Sequence, residues 1–174
     1  MADDIKTTGI PQKKLRSLLE KTREKIKDHE VIADLFKEYD IPLSEIEYIP
    51  MCFADIAVSA RTDHGCIYFN TNLLNDPEQL DHYMVHEICH WAQQTTGNKP
   101  TQGAEDGDYL ENPYEVEGFQ TQVEYIADTQ DEGAAEDYVD QVLEHHDDDS
   151  NTEKKEELLK KINSRISALL TFGV

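Results

Sequence analysis

The run Val85-His86-Glu87-Ile88-Cys89-His90-Trp91 constrains this chain more than any other stretch, because its chemistry works only on a helix. His86 and His90 stand four positions apart, so on a helix of about 3.6 residues per turn their rings project from nearly one line and can grip one metal ion. Glu87 lies about 100° round the helix from His86, close enough to reach a water on that ion without being a ligand itself. Random placement of 7 His and 19 Glu in 174 residues would give the pattern in about 3% of chains, so the flanking sequence has to decide.

The flanks favour a helix. Asn75-Asp76-Pro77-Glu78 supplies an N-cap, a proline at the first helical position and an acid in the first turn, and Gly97 is a natural stop about twenty residues on. Leu80, Met84, Ile88 and Trp91 recur at three- and four-residue steps and predict the buried stripe, with both histidines beside it at the edge of a core.

Two histidines do not close a zinc site; a catalytic one has three protein ligands and a water. The third is expected on the helix that Asn112-Pro113-Tyr114-Glu115 starts and that runs to about Thr129. Val116, Phe119, Val123 and Ile126 define its buried face; Glu115 lies about 60° from the centre of that face and Glu117 about 140° away. Glu115 is therefore the predicted ligand. The competing readings are a carboxylate placed by the helix dipole for Glu115 and a solvent residue for Glu117.

The rest of the chain reads as one domain of the α+β class. Lys13 to Lys37 is predicted helical with a possible break at Asp28-His29, and His29 is expected in solvent. Ile46 to Arg61 reads as extended, and residues 55–70 as a hairpin turning at Thr62-Asp63-His64-Gly65, with His64 a turn residue. Residues 98–111 read as a loop. Ala134 to His145 predicts a further helix, and His145-His146-Asp147-Asp148-Asp149 a polar loop in preference to a second metal site. Ser150-Asn151-Thr152-Glu153 caps a last helix that buries Leu158, Leu159, Ile162, Ile166 and Leu169 and turns its lysines to water or to acids. The core is expected at about 46–130, with helical extensions at 11–40 and 134–170.

Charge limits the partners. The formal net charge is −21, and residues 41–150 carry 25 acids against Arg61 and Lys99, a balance of −23. Such a field repels phosphate backbones and attracts metal cations and cationic peptides, so direct nucleic-acid binding is not expected. No run of eighteen apolar residues and no leader-like N-terminus is present, so neither membrane insertion nor export is expected. Cys52, Cys66 and Cys89 form no framework spacing, which suits a reducing cytoplasm, and all three are expected as small buried residues.

A sheet, a His-Glu-x-x-His helix, a loop and a helix bearing a ligand glutamate together resemble the zincin metallopeptidases, in particular the gluzincin branch. The run Glu115-Val116-Glu117-Gly118-Phe119 after Asn112-Pro113-Tyr114 is similar to small metallopeptidases of phages and mobile elements. The resemblance covers roughly residues 46–130. It implies a minimal zincin-like fold, Zn2+ held by His86, His90 and Glu115, Glu87 as general base, and a peptide or protein substrate. The thermolysin-type pattern has an aspartate four residues after the ligand glutamate; Phe119 stands there, so support for the histidines must come from elsewhere. Tyr109, Tyr114 and His145 are the candidates for steadying an oxyanion. The alternative to an enzyme is an acidic binding protein on the same scaffold, a decoy that mimics DNA.

Overall fold

The computed structural model describes residues 10–97 and 109–164. The chain divides into two compact units, residues 1–103 and 104–174.

The first unit begins with α1 (Gln12–Lys27) and α2 (Glu30–Glu38), so the break at Asp28-His29 is real. His29 is half-buried and caps α2, its Nδ1 accepting the Val31 amide at 3.2 Å, which corrects the expectation of a solvent residue. Leu43–Tyr48 is a 3-10 helix, so the extended reading from Ile46 does not hold over its first three residues. Pro42 and Pro50, neither with an amide to donate, bracket it. Three short strands follow: β1 (Met51–Ala54), β2 (Ala60–Asp63) and β3 (Cys66–Asn70).

The strand order is β1-β3-β2, with β2 antiparallel to β3 as the hairpin predicts and β1 parallel to β3. The sheet is thus mixed. The turn at His64-Gly65 needs two left-handed residues, φ 48° and 76°, which glycine adopts without strain. Ile67 and Phe69 put one face of β3 wholly into the core. The strands pack on α3 (Pro77–Thr95), capped by Asp76 with Pro77 at its first position, as its sequence predicts. Leu80, Met84 and Ile88 are fully buried, and Trp91 stacks on Phe36 of α2 with ring centroids 6.0 Å apart.

Gln94 near the C-terminal end of α3 ties the hairpin to the helix. Its amide nitrogen donates to Thr62 O at 3.0 Å, and its oxygen accepts the Gly65 amide at 3.3 Å. Lys25 of α1 pairs with the buried Asp81 of α3. Helix, hairpin and first helix are therefore cross-tied around the turns that carry His86 and His90.

The second unit contains a 3-10 turn at Tyr109–Glu111, then α4 (Pro113–Thr129), α5 (Glu132–His145) and α6 (Thr152–Leu158). Asn112, Asp131 and Asn151 each cap the helix that follows. The caps satisfy backbone N–H groups that the first turn leaves without partners. Val123, Val139, Leu143 and Leu158 centre its core.

Lys154 pairs with an acid of the middle stretch, as the sequence predicts, its Nζ 3.4 Å from Glu111 Oε1, but it does so from a buried position. It is 7% exposed and donates to Leu110 O at 2.8 Å and Glu157 Oε2 at 2.7 Å. Lys155 behaves as expected, pairing with Asp140. Ile166 and Leu169, and the loop at 98–108, lie outside the described residues.

Among the described residues the architecture is coarsely α+β: mostly helical, with one small sheet. Among the described residues no helix is long and apolar enough to cross a membrane.

Candidate metal centre

His86, Glu87 and His90 occupy the middle of α3, where the helix is buried on nearly every side. The histidines are each 4% exposed, deeper than the core edge that the stripe alone suggests. Their Nε2 atoms face each other at 3.0 Å. Bonds of about 2.0–2.1 Å from an ion to two nitrogens that far apart would make an angle of about 94°, a little under tetrahedral.

The protonation pattern suits a cation. Gln93, fully buried one turn below, sets its amide oxygen 2.8 Å from His90 Nδ1 and points its amide nitrogen at Cys89 Sγ, 3.5 Å away. With that amide orientation, His90 Nδ1 donates to Gln93, so the neutral ring turns the lone pair of Nε2 toward His86. Gln93 thus provides the support that Phe119 cannot. The signal was its position three residues after His90, one helical turn along.

Glu87 is also buried, at 5% exposure, and is held from the sheet. The Thr62 hydroxyl of β2 donates to Glu87 Oε2 at 2.6 Å and lies 3.0 Å from Glu87 O. A carboxylate taken out of water needs such a donor. Nothing in the sequence ties Thr62 to a residue 25 positions later.

His82, which the sequence reading passed over, extends the line one turn before His86; the regular steps 82, 86, 90 are the signal that would have found it. Burial pushes its imidazolium down to about 4, with the positive charge that His86 can carry acting in the same direction and Asp76 opposing. At neutral pH His82 is an uncharged ring.

In the second unit, Glu115 sits in the first turn of α4 and is 4% exposed, whereas Glu117 is half-buried. This ordering is the one that helical phase predicts. Tyr109 stacks on His146, not on His145, with centroids 5.0 Å apart and planes 16° apart. His145 is exposed, and Tyr114 is half-buried in the first turn of α4. Burial lowers the His146 pKa and His145 lowers it further, while the Glu115 carboxylate raises it.

Among the described residues, His86, His90 and Glu115, all buried, form a group that could hold a metal ion. Two imidazoles and a carboxylate are a borderline donor set that suits zinc better than calcium or magnesium, which prefer oxygen alone. No family model matches this chain, and no curated protein or solved structure does either.

Proposed function

We propose that the protein is a zinc-dependent peptidase or related amide hydrolase of the zincin type, with His86, His90 and Glu115 as metal ligands. The observation that carries the reading is the pair of buried imidazole nitrogens 3.0 Å apart, one with its tautomer fixed by Gln93, beside a buried glutamate. Zinc bound there would lower the pKa of a water and polarise the scissile carbonyl.

The chain's own side chains do the remaining work. Glu87 accepts the proton of the attacking water and passes it to the leaving amine, the role of a general base that later acts as general acid. Thr62 fixes one oxygen of that carboxylate, which limits the directions the other can take. Gln93 keeps the His90 ring from rotating. The acidic surface draws in cationic segments of a peptide substrate.

The test compares wild type with Glu87→Gln and Glu115→Ala for zinc content and for cleavage of a quenched fluorescent peptide library. The reading expects zinc near one equivalent in wild type and Glu87→Gln, zinc lost in Glu115→Ala, and cleavage only in wild type. A Glu87→Gln protein as active as wild type would end it. An inactive wild type that captures a DNA-binding protein, unaffected by Glu87→Gln and weakened steeply by salt, would instead favour the acidic decoy.

A further inference from the structure

The outer face of the small sheet carries a second group of metal-capable side chains, and it differs chemically from the first. Cys89 is buried as expected, but Cys52 and Cys66 are only half-buried, which corrects the reading of all three as core residues. In the parallel β1–β3 ladder Cys52 stands level with Tyr68, and Cys66 precedes Tyr68 by two residues. Alternation along the strand therefore puts Cys52, Cys66 and Tyr68 on one face, opposite the core-facing Ile67 and Phe69. Cys66 lies close enough to both Cys52 and Tyr68 to raise the pKa of each.

Backbone spacing decides what such a pair can do. Neighbouring strands lie about 4.8 Å apart and two residues advance about 6.6 Å, so the Cα atoms of this diagonal pair stand about 8 Å apart. A disulfide needs Cα atoms under about 7 Å apart, so a direct S–S bond would require the strands to move. An atom between the sulfurs removes that conflict, because two bonds of about 2.3 Å span what a single bond of about 2 Å cannot. A catalytic or redox thiol is also a poor fit: burial pushes Cys52 up to about 11, with Cys66 adding to the shift, so Cys52 is protonated at neutral pH.

We propose that Cys52 and Cys66 form a two-thiolate site for a soft cation of the monovalent copper, cadmium or mercury type, separate from the His86, His90 and Glu115 set. On binding, each S–H releases its proton to solvent and each sulfur forms one bond to the cation, with no change of oxidation state. Tyr68 stands beside both sulfurs on the same face, level with Cys52. Asp63, level with Cys66 and paired with His64 at 2.6 Å, adds negative charge, while Arg61, level with Tyr68, adds a positive one. Soft sulfur ligands select such ions over those that prefer oxygen.

Cadmium is the probe, because thiolate ligation gives an ultraviolet charge-transfer band that imidazole and carboxylate ligands do not. Reduced full-length protein titrated with Cd2+ should develop the band fully by two equivalents, because the His86, His90 and Glu115 set takes up Cd2+ without one. Cys52→Ser and Cys66→Ser should each weaken binding at least 100-fold, and Cys89→Ser should leave the band in place. Far-ultraviolet circular dichroism unchanged across the variants shows that folding is not the cause. A band that survives the Cys52→Ser/Cys66→Ser double variant overturns the proposal, as does the absence of any band in wild type. So does ready formation of an intramolecular Cys52–Cys66 disulfide, seen as the loss of two hydrogens by mass.

Discussion

Thr62→Val tests how the sheet holds Glu87, and it needs no knowledge of substrate. Valine has nearly the shape of threonine, so the change deletes the hydroxyl and leaves little cavity. What is lost is a buried bond of 2.6 Å to a carboxylate that is 5% exposed. Hydrogen bonds to charged groups contribute about 1.5–3 kcal/mol, so the variant should lose about 2 kcal/mol. Trp91, the only tryptophan, sits one turn along α3 from Glu87, and its fluorescence reports unfolding where the change is made.

With a urea slope of about 2 kcal/mol/M, the midpoint should fall by about 1 M, measured with chelator present so that metal binding does not mask the change. In a Glu87→Gln background the partner is neutral, and the same substitution should cost only about 1 kcal/mol. The double-mutant cycle thus predicts a coupling of about 1 kcal/mol between Thr62 and the Glu87 charge. A Thr62→Val midpoint within error of wild type, or an equal cost in both backgrounds, would refute the assignment of Thr62 as the donor that holds this acid.

Two further outcomes follow from the same helix. Gln93→Leu removes the acceptor from His90 Nδ1 and should weaken zinc binding 10–100-fold in competition with a chromophoric chelator, with Gln93→Glu restoring most of it; unchanged affinity in Gln93→Leu would remove Gln93 from the site. His82 should make the metal-free fold sensitive to mild acid. Its folded-state pKa of about 4 lies below the ordinary 6.5, so the unfolded chain takes up the proton first. The stability it confers is complete above about pH 6.5 and is lost as pH falls toward 4, by up to about 3 kcal/mol. Urea unfolding of wild type and His82→Asn at pH 7 and pH 4.5 checks this: the variant should lose less on acidification, and equal losses would rule His82 out as the cause.

Where an interaction is local along the chain, the sequence alone determined it. The span of α3, its Asp76 cap and its stop near Gly97 follow from residues within a turn of each other, and the placement of His86 and His90 on one line follows from helix periodicity. The choice of Glu115 over Glu117 as the buried acid followed from helical phase within α4. Where propensity was ambiguous, the reading missed: Ile46 and Tyr48 are β-formers, yet the prolines on either side favour a tight helical turn over the extended start read at Ile46.

Tertiary structure decided the rest, because the deciding contacts join residues far apart in the chain. Thr62 reaches Glu87 across 25 residues, Lys154 reaches Leu110 O across 44, and the parallel pairing of β1 with β3 brings Cys52 to Cys66. Periodicity says which face of an element is buried but not what stands opposite. A polar group's partner, and so its charge state and chemistry, is set by the element packed against it.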